Sequence, residues 1–284
     1  MLKQRVLTAI ALLLILLPAV WSTRVEFFLV VTLVLICAAA WEWGRLSDLP
    51  FGHAVALGVF SGVLGLGCWL GDLWSRDFGW FWALVAGVWV IGSAYLLSQG
   101  MVAWLRWPVR VRASLGMLVL LAAWLALVQA RQVGVNFLLS SLALVWAADI
   151  GAYFAGRSLG GRWFRQKLAP SISPGKTWEG VIGGAVVVWA VSVIWRIWDR
   201  SGQADSPSLY TALAAIGEGW LLLALACLVC MSVVGDLVES LIKRAAGVKD
   251  SSRLLPGHGG VLDRVDALLP TLPWVMLLTY WAKS

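Results

Sequence analysis

The most informative part of this sequence is the segment from residue 235 to residue 266, where an otherwise apolar chain becomes densely charged. Only 13% of the whole chain is charged, and charge close to a bilayer is expensive and usually functional. The acids of this segment are Asp236, Glu239, Asp250, Asp263 and Asp266, and its bases are Lys243, Arg244, Lys249, Arg253, Arg264 and His258. Acids, bases and glycines in one segment indicate a metal ion that holds a polyphosphate.

Two acidic pairs in this segment have a spacing suited to a hard cation. Asp236, Glu239 and Lys243 share one helical face if the preceding helix continues past them. Asp263 and Asp266 repeat the three-residue spacing. Magnesium prefers carboxylate oxygens and keeps open positions for phosphate oxygens, so the two pairs predict a magnesium site.

The bases and the glycine turn of the same segment suit a phosphate ligand. Lysine and arginine neutralise phosphate charge, and three glycines around His258, at residues 257–260, let the backbone approach a ligand closely. The alternative is a charged loop whose acids and bases pair with one another. Because the acids adjoin apolar segments, we favour the binding site.

A second set of polar residues lies in the middle of the chain. Asp149 is predicted to lie at the cytoplasmic end of a span, where an acid is a functional hypothesis by default. The alternative is a structural ion pair between Asp149 and either Arg157 or Arg162.

The segment KLAPSISPGKTWEG, residues 167–180, supplies hydroxyl groups and a cation close by. Its SPGKT run matches a P-loop only in part, because the full GxxxxGK[ST] spacing is absent. Thr177 and Glu179 are also typical of a helix start. Helix N-termini bind phosphate, so both interpretations are compatible with a nucleotide.

Membrane-spanning helices are the elements that must position these residues. The chain is 61% hydrophobic, with a mean hydropathy of +0.85, whereas soluble proteins are about 45–50% apolar. A span needs about 20 mostly apolar residues, and we predict an all-α, polytopic membrane protein with about nine transmembrane helices. The predicted spans are 5–21, 25–43, 53–71, 78–97, 113–130, 133–154, 178–198, 214–236 and 265–282. Pro270 and Pro273 predict a kink or an altered start in the last span.

The distribution of basic residues predicts that the N-terminus lies inside. Of the 22 lysines and arginines, 16 then fall on the inside and six on the outside, so both charge-rich segments and the active site face the cytoplasm. The apolar N-terminal stretch is interpreted as a retained first helix. We divide the chain into N-terminal helices, 1–130, for folding, dimerisation or lipid entry, and a catalytic region, 131–284.

These motifs together resemble one family. The run SLIKRAAGVKDSSRLLPGHGGVLDRVD, residues 240–266, resembles the signature of phosphatidate cytidylyltransferase, also called CDP-diacylglycerol synthase. DIGAYFAGR and KLAPSISPGKTWEG are similar to that family's other shared region, and MLKQRVLTA fits its bacterial members. The motifs cover residues 149–184 and 235–266, and the apolar remainder is compatible but unspecific.

The resemblance implies a helical homodimer in the inner membrane of a bacterium. It implies that the protein uses Mg²⁺ to convert CTP and phosphatidate into CDP-diacylglycerol and pyrophosphate. It also implies that a second, monovalent cation such as K⁺ binds beside the Mg²⁺. No nucleic acid is expected as a partner. The residues expected to bind the metal are Asp236, Asp263 and Glu239. Those expected to take part in catalysis are Asp236, Lys243, Asp263, Asp266 and His258, although His258 has the alternative role of only ordering the turn. Those expected to bind substrate are Asp149, Lys167, Ser173, Lys176, Thr177, Glu179, Arg244, Lys249 and Arg264.

Two other functions stay open at this level. A CTP-dependent lipid kinase would transfer the γ-phosphoryl group and release CDP, whereas the resembled family transfers CMP and releases pyrophosphate. A polytopic transporter would show inverted repeats and paired broken helices near the midplane. We find no convincing repeat, and the acids cluster at one face.

Overall fold

Twelve α-helices and no strand make up the residues that the computed structural model describes, which are 2–76 and 78–283. The helices are α1 (Leu2–Trp21), α2 (Val25–Leu46), α3 (Phe51–Leu70), α4 (Gly79–Gln99), α5 (Met101–Arg106), α6 (Val109–Val133), α7 (Val135–Leu159), α8 (Trp178–Asp199), α9 (Leu209–Ala214), α10 (Glu218–Ala245), α11 (Leu262–Val265) and α12 (Leu268–Lys283). Within these ranges nine helical stretches are long and apolar enough to span a membrane, the last formed by α11 and α12 together. The prediction of an all-α, polytopic membrane protein with nine spans is confirmed.

The longest helix, α10, carries part of the predicted site. It ends at Ala245, more than two turns beyond Asp236, so Asp236, Glu239 and Lys243 do lie on one continuing helix. The predicted end at residue 236 was too early. The reason is that the last turns of α10 carry charged side chains, which a hydropathy pattern excludes from a span.

The last span is interrupted close to Asp266, which confirms the altered start expected from its two prolines. The backbone N–H of Ala267 donates to the Asp266 carboxylate over 2.7 Å at this break. Gly235 of α10 packs against it, because a Cβ at Gly235 would lie 2.5 Å from the carbonyl oxygen of Asp266. The close approach places Asp236, the next residue of α10, beside the break.

Four helices, α2, α6, α10 and α12, contribute residues to both parts of the buried core. One part lies among α2, α4, α5, α6, α10 and α12 and includes the buried Trp82, Trp104 and Trp124. The other lies mainly among α7, α8, α9, α10 and α12, with further residues from α1, α2 and α6, and includes Tyr210. Since lipid tails are as apolar as these side chains, close packing rather than water exclusion holds the helices together.

Small residues let α7 and α8 pack closely against each other. A Cβ at Gly184 would lie 2.7 Å from the carbonyl oxygen of Ala148, and a Cβ at Gly156 would lie 3.1 Å from Oγ1 of Thr177. The second half of α7, which carries Asp149, therefore lies against the start of α8 and the loop that precedes it.

Candidate active site

A cavity of about 290 Å³ lies among α7, α8 and α10. Its charged and hydroxyl-bearing lining residues are Asp149, Tyr153, Lys176, Thr177 and Asp236. Lys176 Nζ is 2.6 Å from Asp236 Oδ2, and Ser240 Oγ donates to Asp236 Oδ1 over 3.1 Å. The structure thus joins the segment 167–180 to the segment 235–266 through one ion pair. We call this space the amphiphilic cavity.

The remaining wall of the amphiphilic cavity is mostly apolar, which gives the cavity its name. That wall includes Ala148, Ala152, Val181, Val229 and Val233. Charged groups on one side and hydrocarbon on the other suit a ligand that carries both a phosphate and an alkyl chain.

Asp149 faces the amphiphilic cavity instead of pairing with an arginine. The guanidinium of Arg157 donates to the hydroxyl of Tyr153 over 2.9 Å. Between residues 2–76 and 78–283, no ion pair joins Asp149 to Arg157 or Arg162. The structural alternative for Asp149 is therefore not supported.

Lys243, which does not line that cavity, bridges two carboxylates. Its ammonium group forms an ion pair with the buried Glu239 and lies 2.7 Å from Asp263 Oδ1. Both Glu239 oxygens are buried, and no group among the described residues supplements this ion pair with a hydrogen bond. In this conformation the charge of Lys243 is balanced by protein groups.

Asp263 also fixes the loop between α10 and α11. Its Oδ2 accepts hydrogen bonds from the backbone N–H of Ser251 (2.9 Å), the hydroxyl of Ser251 (2.9 Å) and the backbone N–H of Gly260 (2.8 Å). The other oxygen, Oδ1, contacts only the ammonium of Lys243 among the described protein groups. It is the oxygen that a cation would reach by displacing one ammonium group.

Several carboxylates lie close enough to repel one another. Asp266 experiences the charges of Asp236 and Asp149, and Glu239 experiences those of Asp266 and Asp263. In the part of the chain that the structure describes, no three His, Cys, Asp or Glu side chains already form a preorganised metal site. The donors are nevertheless oxygen atoms of clustered carboxylates, which is the donor chemistry that a hard cation prefers, so these residues fit Mg²⁺.

The glycine turn at residues 257–260 has a structural requirement that the sequence did not reveal. Gly257 and Gly259 have φ values of +79° and +85°, a region that side chains disfavour. A Cβ at Gly260 would lie 2.1 Å from Oγ of Ser251 and 2.4 Å from Oε1 of Glu42. These glycines shape the loop itself, independently of any ligand.

Glu42 is an important residue that the sequence analysis missed. It is fully buried on α2, where its carboxylate accepts hydrogen bonds from the hydroxyls of Ser251 and Ser252. It also accepts from the backbone N–H groups of Val261 (3.0 Å) and Leu262 (2.7 Å), at the start of α11. An acid inside an apolar predicted span was the available signal, since such residues are rarely incidental.

Three of the expected site residues line a different, larger cavity of about 660 Å³. They are Lys249, His258 and Arg264, and Arg5 and Arg253 join them there. The Arg264 guanidinium donates to the carbonyl oxygen of His258 over 2.9 Å. We call this space the basic cavity. Arg244 lines neither cavity and donates to the carbonyl oxygen of Val248 over 3.2 Å.

The remaining expected residues hold the loop before α8. The buried Glu179 accepts from the backbone N–H groups of Trp163 and Phe164, each over 3.0 Å. Lys167 Nζ donates to the carbonyl oxygen of Pro174 over 2.6 Å. The backbone of Ser173 bonds to that of Ala169 within the same loop, and Thr177 caps α8 by accepting from the N–H of Gly180. These contacts position Lys176 at the amphiphilic cavity.

Known proteins match nearly the full length of the chain in sequence. A model of the cytidylyltransferase family matches residues 3–282. A Pseudomonas aeruginosa protein named phosphatidate cytidylyltransferase is 39% identical over 100% of this chain and 98% of its own length. Proteins of the same name from Brucella abortus (36% identical, 80% of this chain and 82% of the relative) and Staphylococcus saprophyticus (31%, 97% and 98%) are also similar. The chain belongs to the cytidylyltransferase family.

Proposed function

We propose that this membrane enzyme transfers CMP from CTP to phosphatidate and so forms CDP-diacylglycerol and pyrophosphate. The full-length relatives named phosphatidate cytidylyltransferase support this activity. The observation in the structure that carries it is the amphiphilic cavity, where the Lys176–Asp236 ion pair adjoins an apolar wall. Such a cavity suits a lipid whose phosphate must react while its acyl chains stay in hydrocarbon.

The reaction is an in-line attack of the phosphatidate phosphate on the α-phosphorus of CTP, with pyrophosphate as the leaving group. A phosphate monoester has a second pKa of about 6, so the nucleophile is largely ionised at neutral pH and needs no strong general base. The barrier is mainly electrostatic because two anions must meet. The protein therefore acts by positioning the phosphates and neutralising their charge. In this scheme Lys176, Thr177 and Asp149 surround the lipid phosphate.

We propose Asp236, Asp263 and Glu239 as the residues that hold Mg²⁺. Five carboxylates and two ammonium groups occupy this region: Asp149, Asp236, Glu239, Asp263, Asp266, Lys176 and Lys243. Their formal charges leave three negative charges in excess, which one divalent and one monovalent cation, such as K⁺, would balance. When bound, the divalent ion would supply charge neutralisation at the phosphates.

The proposal extends to orientation and assembly. The bias of lysine and arginine supports a bacterial inner-membrane protein whose N-terminus and active site face the cytoplasm, where CTP is present. We also propose a homodimer, as the family resemblance implies. Mass measurement of the protein in a lipid nanodisc is expected to give two chains per particle, and one chain would contradict the dimer.

The activity is tested by the fate of each phosphorus of CTP. Purified protein in detergent is given phosphatidate, Mg²⁺ and CTP labelled at the α- or the γ-phosphate. We expect the α-label in the lipid product and the γ-label in pyrophosphate. A γ-label in the lipid would show a lipid kinase instead, and retention of both labels in CTP by folded, magnesium-loaded protein would refute both transfer reactions.

A further inference from the structure

The basic cavity carries more positive charge than the protein itself balances. Its lining includes four bases, Arg5, Lys249, Arg253 and Arg264, against one acid, Asp250. None of these four bases forms an ion pair within residues 2–76 and 78–283. Four converging cations with one opposing carboxylate favour a ligand with several negative charges.

One of these bases comes from the N-terminal helix, far away in sequence. The hydroxyl of Thr8 donates to the carbonyl oxygen of Pro256 over 2.9 Å, which attaches α1 to the glycine turn. A Cβ at Gly257 would lie 2.7 Å from Cγ of Arg5. The turn and the first part of α1 are therefore in direct contact, and this contact places Arg5 at the rim of the basic cavity.

The basic cavity adjoins the proposed reaction centre. Gly259 lines it, and a Cβ at Gly259 would lie only 2.6 Å from Oδ2 of Asp263. Nδ1 of His258, another lining residue, is buried and has no hydrogen-bond partner among the described residues. A ligand in this cavity would thus lie beside a proposed magnesium ligand and an unused polar atom.

The two cavities differ in the chemistry of their walls. The amphiphilic cavity has an aliphatic wall with residues from three helices. The lining of the basic cavity is mainly charged, hydroxyl or glycine residues of α1, of the loop between α10 and α11, and of α11. A diacyl lipid fits the first cavity better, and a phosphate chain without hydrocarbon fits the second.

We propose that the basic cavity binds the β- and γ-phosphates of CTP and the pyrophosphate that leaves, and that Arg5 of α1 is one of its ligands. The inference rests on the proposed function and deepens it, since it assigns the two substrates to separate cavities. It also gives the N-terminal helix a direct part in nucleotide binding.

The test compares Arg5→Gln with Arg24→Gln, which removes an exposed arginine beyond the other end of α1. In Arg5→Gln, loss of one charge-assisted phosphate contact is expected to raise the KM for CTP and the inhibition constant of pyrophosphate about tenfold. The KM for phosphatidate should stay within about twofold of the wild-type value. Lys249 is an exposed residue that lines the same cavity. Lys249→Gln should raise the same two constants, and it replaces Arg5→Gln in the test if Arg5→Gln fails to fold. Arg24→Gln should match the wild type in every constant.

Pyrophosphate binding is also measured without turnover, as the magnesium-dependent rise in melting temperature that pyrophosphate causes. Loss of that rise in Arg5→Gln and Lys249→Gln supports the inference even if the wild type fails to make CDP-diacylglycerol. The inference is overturned if both variants keep the rise and the wild-type constants. It is also overturned if the KM for phosphatidate increases instead, which would assign the basic cavity to the lipid headgroup.

Discussion

Lys176 and Asp236 lie 2.6 Å apart although one belongs to the loop before α8 and the other to the middle of α10. The sequence predicted both as site residues from their types and settings. Their ion pair could not be predicted, because it depends on how α7, α8 and α10 pack. Glu42 was missed for a related reason, since its partners are more than 200 residues away.

Replacing Glu42 with Gln is expected to loosen the loop between α10 and α11. The amide NH₂ would face backbone N–H groups that now donate to a carboxylate, and each buried donor left without an acceptor costs about 1–3 kcal/mol. We expect a lower melting temperature, faster proteolysis between residues 249 and 260, and a lower kcat.

Glu26→Gln is the matched control, because Glu26 is an exposed acid in the first turn of the same helix. It should keep the wild-type melting temperature and kcat. Wild-type values for Glu42→Gln itself would mean that the Glu42 hydrogen bonds do not hold the loop in the working enzyme.

Among the secondary-structure elements, every long helix could be predicted from hydropathy. Hydropathy did not predict the short helices α5 and α9, because six residues are too few for a span. It also ended α10 too early, at the point where its charged turns begin. The glycines of the turn were predicted to let the backbone approach a ligand. The structure gives two other reasons for glycine: Gly257 and Gly259 have positive φ angles, and Gly260 lies against the side chain of Glu42.

The close contact between α7 and α8 predicts that a side chain at Gly184 is not tolerated. A methyl group at Gly184 would lie 2.7 Å from a backbone oxygen of α7, so Gly184→Ala must push the helices apart. We expect a fall in melting temperature and a loss of transferase activity, because Asp149 and Lys176 would separate.

Gly87→Ala provides the control for intrinsic helix propensity. Gly87 is also inside a helix, α4, but a Cβ there meets nothing within 4 Å. Since Ala is favoured over Gly in helices by about 1 kcal/mol, this variant should be as stable as the wild type or more so. Equal behaviour of the two variants would refute a tight contact between α7 and α8.

For the whole molecule, the nine spans place the two charge-rich segments on the same side, because an even number of predicted spans separates them. The placement of lysine and arginine predicts that this side is the cytoplasm. Sealed, inverted inner-membrane vesicles supplied with external CTP should therefore form CDP-diacylglycerol, whereas sealed right-side-out vesicles should do so only after permeabilisation. Activity confined to intact right-side-out vesicles would reverse the proposed orientation.

We propose that residues 149–180 and residues 235–266 form one catalytic site around the Lys176–Asp236 ion pair. The most direct test is a double-mutant cycle on the initial rate of CMP transfer, with the mild substitutions Lys176→Arg and Asp236→Glu and their combination. Residues in direct contact typically couple by about 0.5–3 kcal/mol. We expect the rate of the double variant to differ from the product of the single effects by about fivefold or more, which corresponds to about 1 kcal/mol. Effects that multiply to within about 1.5-fold would contradict the shared site, because uncoupled positions add within roughly 0.3 kcal/mol.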